Sequence, residues 1–364
     1  MASSRRRFLR TAAAMGGVAF GRGVAPWPDG RPSSSGVVAS TGTESMSPER
    51  LLATHETGPA VVPGAGGGTV QVDPRIPTQA EVDEWYTTRR NWGRWGADDQ
   101  RGAINLITPE KRVAATRLVR NGRTVSVSRV FEPAQQFIRK SGREGSSAGA
   151  VVDYYGFIYH GGVVTHIDAL CHMWDDDGMW GGRDAAVEID TQGAHWGDIT
   201  AWSDGIITKG VLLDVARYRG VPHVSAAEPV HGWELEEIAT DQGVTVEPGD
   251  ALLVHSGWEA YTEAGRPGGA ARPGLHISCA KFIRDHDVAL LGWDLMDASP
   301  SGYDVPFAVH GVLFNYGVAL LDNAGLAPLA AACADEGRYE FMFMASPLKV
   351  AQGTGSPVNP IAMF

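Results

Sequence analysis

Eleven histidines occur in this 364-residue chain. Three of them fall, with one aspartate, in the stretch HGGVVTHIDALCH from His160 to His172. Imidazole nitrogens and a carboxylate at this density form the donor set of a divalent ion such as Zn²⁺ or Mn²⁺. His166, Asp168 and His172 share parity, so an extended strand projects all three from one face. His166 and Asp168 are two residues apart and can reach one ion. The six residues to His172 span about 20 Å of strand, so His172 needs a turn to come close. A neutral histidine that turns back toward the ion without ligating it is well placed as a general base near neutral pH. His160 reaches metal or substrate only where Gly161 and Gly162 let the chain fold back. The competing reading is a set of satisfied core or surface histidines. The surrounding residues are apolar or small, and buried ionisable groups need partners, which favours chemistry. Asp175, Asp176 and Asp177 read as a solvated acidic turn.

Two donors hold an ion weakly, so others are expected elsewhere. The run VHGVLFNYGVALLDN places His310 and Asp322 twelve residues apart in an apolar setting, where polar side chains are costly unless paired or metal-bound.

The elements that must carry these residues are legible in part. Thr78 with Glu81 has the capping-box pattern ahead of Val82 and Trp85. Thr108 is a candidate N-cap with Pro109 at the first helical position and Gly122 as the stop. TVSVSRVF, GVLLDVA, DALLVHS and VALLGWDL read as strands, and GWELEEIATDQG and HISCAKFIRDHD as helices between them. This alternation indicates an α/β or mixed α+β domain with a mixed sheet. No internal repeat, GxGxxG or Walker loop is present.

Composition narrows the function. A hydrophobic fraction of 43% suffices for a packed core, and 42 acidic against 31 basic residues give a net charge of −11. With no long basic run, nucleic acid is excluded as the partner. Cys171, Cys279 and Cys333 are odd in number and widely spaced, which argues against a disulfide framework or a CxxC motif; Cys171 is expected as a small buried residue. At the N-terminus, Arg5-Arg6, Phe8-Leu9 and a weakly apolar Ala/Gly/Val stretch resemble a twin-arginine export signal, too short to span a bilayer. The expected organisation is a signal region over 1–30, a flexible Gly/Pro/Ser-rich linker over 31–73 and one domain over 74–364, exported to the periplasm or beyond the cell.

Taken together, these residues resemble the cyclase family of metal-dependent hydrolases, which includes kynurenine formamidase, isatin hydrolase and trans-dienelactone hydrolase. The family pattern HxGTHxDxPxH is met by Thr165, His166, Asp168 and His172. A later His and, twelve residues on, an acidic residue followed by Asn are met by His310, Asp322 and Asn323. Similarity extends from NWGRWGADDQRGAINLITPEK through GDALLVHSGW to SPLKVAQGTGSPVNPIA. Gly162 stands where the family has its first histidine, Leu170 where it has proline, and Asp322 where Glu is usual.

The resemblance implies a β/β/α barrel-like core with flanking helices, assembled as a homodimer or homotetramer. It implies His166, Asp168, His310 and Asp322 as metal ligands and His172 as catalytic base, with His160 left as a contact to metal or substrate. With Gly162 in place of a ligand, one divalent ion, Zn or Mn, is expected. The reaction implied is hydrolysis of an amide, formamide, lactam or lactone in a small cyclic or aryl substrate, arylformamidase being the family's best-known activity. The alternative is a non-catalytic binding protein of the same fold with an altered metal site. Trp92, Trp95, Trp174 and Trp180 could line a pocket or pack the core; His223, His255 and His286 read as surface or structural.

Overall fold

The computed structural model describes residues 73–142 and 144–364. The signal region and nearly all of the linker expected before residue 74 lie outside the described residues. Helices α1 (Gln79–Thr88), α2 (Pro109–Thr116), α3 (Ala185–Glu188), α4 (Val215–Arg219), α5 (Gly232–Gln242), α6 (Trp258–Glu263), α7 (Ser278–Asp285), α8 (Val312–Tyr316) and α9 (Ala327–Glu336) alternate with strands. The strands are β1 (Thr124–Ser126), β2 (Gln135–Gly142), β3 (Gly149–Gly156), β4 (His166–Asp168), β5 (Ile189–Asp190), β6 (Gly193–Ala194), β7 (Ile206–Asp214), β8 (Ala251–His255), β9 (Leu290–Trp293), β10 (Ala319–Asp322), β11 (Glu340–Ala345), β12 (Gly355–Pro357) and β13 (Ile361–Met363).

Nine strands form one curled, half-barrel sheet in the order β1-β13-β11-β7-β8-β9-β10-β4-β12. Its centre, β7 to β10, is parallel. The apolar runs LLD, ALLV, LLGW and ALLD there are almost wholly buried, as expected for strands covered on both faces. Antiparallel strands complete both ends: β11, β13 and β1 on one side, β4 and β12 on the other. The mixed α/β expectation therefore holds.

The helix signals also hold, with one difference in length. Thr78 caps α1 through a full capping box with Glu81, and Val82, Trp85 and Tyr86 face the core. α2 starts as expected at Pro109 but ends at Thr116, short of Gly122. The chain leaves the helix because the amides of Asn121 and Gly122 bond the Phe364 carbonyl. The expected strand TVSVSRVF is likewise cut to Thr124–Ser126. After Ser126 the backbone passes from Pro360 to the turn following β10, where Gly325 N–H donates to the Val127 carbonyl. All three cysteines are free and buried. Among the described residues no helix is long and apolar enough to cross a membrane.

This sheet places the candidate chemistry where β9 and β10 end and β4 begins. Leu321, fully buried, sits beside Ile167 of β4 and Gly292 of β9. Leu321→Ala is expected to cost about 2–5 kcal/mol in urea unfolding, whereas Val113→Ala, at an exposed site, should stay within about 0.5 kcal/mol. Equal midpoints for the two variants would contradict this packing.

Candidate metal centre

Strand β4 presents His166 and Asp168 on one face, and its antiparallel partner β10 brings Asp322 directly opposite His166. On the other side, Asp168 faces Gly355 of β12. A Cβ at Gly355 would lie 2.9 Å from His160 Cε1 and 2.6 Å from the Ile167 carbonyl, so the missing side chain leaves the space that the His160 ring fills. The chain reaches that space because Gly161 adopts φ +117°, a left-handed conformation that glycine takes without penalty. Tyr159 Oη donates to the Gly355 carbonyl at 3.0 Å, and His160 Nε2 lies 3.1 Å from Thr354 Oγ1. The fold-back required of Gly161 and Gly162 is therefore present.

His160 Nδ1 lies 2.9 Å from Asp168 Oδ1, and His166 Nε2 lies 3.4 Å from the same oxygen. His166 Nδ1 donates to the Val164 carbonyl at 2.8 Å. That bond fixes the tautomer and leaves Nε2 with its lone pair free, the usual arrangement behind a ligating imidazole. Asp168 is 1% exposed. The approach of His160 Nδ1 is close but misaligned, so neither that nitrogen nor either Asp168 oxygen has a hydrogen-bond partner. An ionised carboxylate buried without a donor is costly. Burial pushes Asp168 up, but the imidazoles of His172, His160 and His166 pull it down to about 2. The carboxylate is held as an anion, which a nearby cation or an imidazole N–H would satisfy.

His172 approaches through a turn in which its own N–H donates to the Ala169 carbonyl. Its ring stacks on His160 with centroids 3.9 Å apart and planes 3° from parallel. His172 Nε2 is 3.9 Å from Asp168 Oδ1, outside bonding distance. Burial lowers its pKa, and His160 adds to the effect against the opposing pull of Asp168.

The second half comes from β10 and the turn before α8. His310 Nε2 lies 3.2 Å from Asp322 Oδ2, and its Nδ1 pairs with Asp297 Oδ2. Trp293 Nε1 donates to Asp322 Oδ1 at 2.5 Å. Donor atoms of His160, His166 and Asp168 lie within 4.8 Å of one another, as do those of Asp168, His310 and Asp322. Asp168 belongs to both sets, so the six sequence candidates lie together, with four donor residues grouped around Asp168 and His172 beside them. The donor set and the unpartnered carboxylate fit a divalent ion. Burial lowers the His310 pKa, but Asp297 and Asp322 outweigh it and hold the ring well above its ordinary value. The protonated ring donates from Nδ1 to Asp297 and from Nε2 to Asp322.

Several residues support this centre: Asn323 and Thr165 match the family pattern but had no assigned role, and Asp297 carried no sequence signal. Asn323, at φ +54°, donates to the carbonyls of Gly161 and Val164 and thereby holds the loop between His160 and His166. Thr165 Oγ1 in turn donates to the Asn323 carbonyl at 2.7 Å. Asp297 also accepts from the backbone amides of Val309 and His310; its place in WDLMD, thirteen residues before His310, had no readable spacing. Asp175 and Asp177 are gripped by Arg90 at 2.8 and 2.7 Å, so the expected solvated turn is in part an ion-paired one. Trp180 is a core residue, with Trp92 and Trp95 packed against that core, while Trp174 is 45% exposed. A third group, His255, Glu259 and Asp294, is structural: His255 pairs with Asp214 at 2.8 Å and Asp294 accepts the amides of Ser256, Gly257 and Trp258.

Fold and site together define a member of the cyclase family, whose sequence profile, "Putative cyclase", matches residues 81–300. The chain belongs to that family. The matched segment contains His160, His166, Asp168 and His172; His310 and Asp322 lie beyond it. A crystal structure described as a novel cyclase is similar over 77% of this chain and 99% of its own, with 27% identity and a TM-score of 0.67. An isatin hydrolase bound to the product analogue thioisatinate aligns with 16% identity and a TM-score of 0.45, over 70% of this chain and 98% of its own. Isatin hydrolase A from Labrenzia aggregata, bound to benzyl benzoate, aligns with 15% identity and a TM-score of 0.45, over 66% of this chain and 93% of its own. No curated protein matches the chain.

In protein stripped of divalent ions, the His310 ring should titrate above the ordinary histidine range. Its bridging contribution to stability is then fully present below that range and lost as pH rises through the raised value. Side-chain NMR of labelled histidine should show this, and Asp297→Asn should bring the titration down; an unchanged titration in that variant would assign the shift to another cause.

Proposed function

We propose that the protein is a metal-dependent hydrolase that opens an amide, formamide, lactam or lactone in a small cyclic or aryl substrate. The observation that carries this reading is Asp168: a buried, ionised carboxylate with no hydrogen bond, met by imidazoles, beside a histidine whose pKa is lowered. His166, Asp168, His310 and Asp322 would hold one divalent ion, Zn or Mn, and His160 supplies the nitrogen that Gly162 does not. When bound, such an ion lowers the pKa of water and polarises a carbonyl.

The chain's own residues do the remaining work. His172, kept neutral by burial, takes a proton at its imidazole and returns one to the leaving group. The anionic Asp168 nearby favours the imidazolium that forms in between. Asn323, Trp293 and Asp297 fix the orientation of the donors, as the partners of ligating residues do elsewhere. The absent donor at 162 motivates a non-catalytic binding role; His160 beside Asp168 and the retained His172 count against it. Export by the twin-arginine route, which carries folded proteins, suits a chain that acquires its ion in the cytoplasm, and a lactone or cyclic amide met outside the cytoplasm is at least as good a substrate as a formamide. Residues 1–72, which carry the export signal, lie outside the described residues.

Metal analysis of the purified protein, with a panel of formamides and lactones assayed with and without chelator, tests the reading. Absence of both metal and chelator-sensitive turnover would sink it. His172→Ala should keep the ion and lose about 10²–10⁴-fold in turnover, whereas Asp168→Ala should lose both; loss of metal in the His172 variant would make it a ligand instead. Because burial favours neutral His172, the acid limb of kcat/KM should fall below the ordinary histidine pKa of about 6.5. A limb above that value would point to a different base.

A further inference from the structure

Beside the first turn of α6 lies a cavity of about 340 Å³, at the lower end of the roughly 300–1,000 Å³ of small-molecule sites. Its wall includes Gly162 and Val163, from the loop between His160 and His166, but none of the six residues of the metal centre. Arg129, Arg266 and Glu259 also line it. Two cations thus face one acid on a chain whose net charge is −11.

Neither arginine is matched by a carboxylate at ion-pair distance. Arg129 Nη2 donates to the Asp294 carbonyl at 2.6 Å and Nη1 to Asn323 Oδ1 at 3.4 Å, while Nε is buried without a partner. The Trp258 ring holds the guanidinium in place, with its carbon 3.6 Å from the ring centroid. Arg266 is exposed and makes no ion pair or side-chain hydrogen bond among the described residues. On the acid side, His255 is engaged by Asp214 and Asp294 by backbone amides, whereas Glu259 Oε2 is buried without a hydrogen bond. Burial pushes the Glu259 carboxyl up, as expected of an acid short of donors. Three residues to either side, Ser256 Oγ and Thr262 Oγ1 are also buried without partners. Native interiors leave few such atoms, so their concentration beside a cavity points to a polar occupant.

We propose that this cavity is a second ligand site, distinct from the metal centre, for a small carboxylate that also carries an amino or hydroxyl group. The guanidiniums meet the carboxylate through charge-assisted hydrogen bonds, and the amino or hydroxyl group donates to Glu259. Val163 and Trp258 offer apolar surface to the carbon skeleton between them. A divalent cation fits poorly here: Arg129 stands beside the acid, and Asp294 already accepts the amides of Ser256, Gly257, Trp258 and Leu295. A phosphate fits poorly as well, because Glu259 repels its second negative charge. The inference uses no residue of the metal centre and stands independently of the hydrolase reading.

Calorimetric titration of the full chain with 3-(aminomethyl)benzoate and 3-(hydroxymethyl)benzoate tests it, with benzoate and benzylamine as probes that lack one group each. Both two-group acids should bind, in the protein as purified and after chelator treatment alike, and 3-(aminomethyl)benzoate about 10-fold or more tighter than benzoate or benzylamine. Glu259→Gln should erase that advantage over benzoate. Arg266→Ala should weaken every carboxylate by about 10-fold, and both variants should keep the near-ultraviolet dichroism spectrum and metal content. Because Arg266 is exposed, its variant keeps the test available should Glu259→Gln fold poorly. No binding at millimolar concentration, which would leave the cavity to water, binding abolished by chelator, or binding indifferent to both substitutions would overturn the proposal.

Discussion

The centre of this protein is organised around one buried negative charge. Asp168 is enclosed by protein, accepts no hydrogen bond and remains ionised. Such a group is tolerated only where positive charge is at hand. His160, His166 and His172 all approach it, and the elements that deliver them have little freedom to move without exposing it. The turn at Gly161, the bare backbone at Gly355 and the turn after Asp168 read as answers to the same constraint.

The sheet supplies the frame. β9 and β10 run parallel and buried, so their carboxyl ends provide a rigid edge, the usual place for sites in open α/β sheets. β4 joins this edge antiparallel, and its register puts His166 against Asp322. A slip of one residue would send His166 and Asp168 to the opposite face. Register is protected by what lies on that opposite face: Ile167 is fully buried, and Thr165 is bonded to Asn323 and to the Arg129 amide. Apolar burial behind the strand thus fixes the polar chemistry in front of it.

Much of this was legible in sequence because it depends on short-range periodicity. Parity alone placed His166 and Asp168 on one face, and capping residues set the starts of α1 and α2. Apolar runs gave β7, β8 and β9. What stayed hidden depends on distant pairing. His160 looked about 20 Å away on an extended chain, and its contact with Asp168 needs Gly355, near the far end of the chain, to lack a side chain. Asp297 meets His310 through tertiary packing rather than spacing. β11, antiparallel to β7, alternates buried and half-buried residues, and nothing local says which strand it will join. Helix α2 and strand β1 ended early because the chain terminus and the turn after β10 capture their backbone groups, which no local pattern announces.

The parallel stack of His160 on His172 has a consequence for the order of events at the centre. Two imidazoles face to face at this separation share one electrostatic environment, so positive charge on either raises the free energy of charge on the other. A cation at His160 would therefore oppose a proton at His172, although the two would occupy different atoms. Geometry of this kind would couple the charge of one ring to the charge of the other without any bond between them.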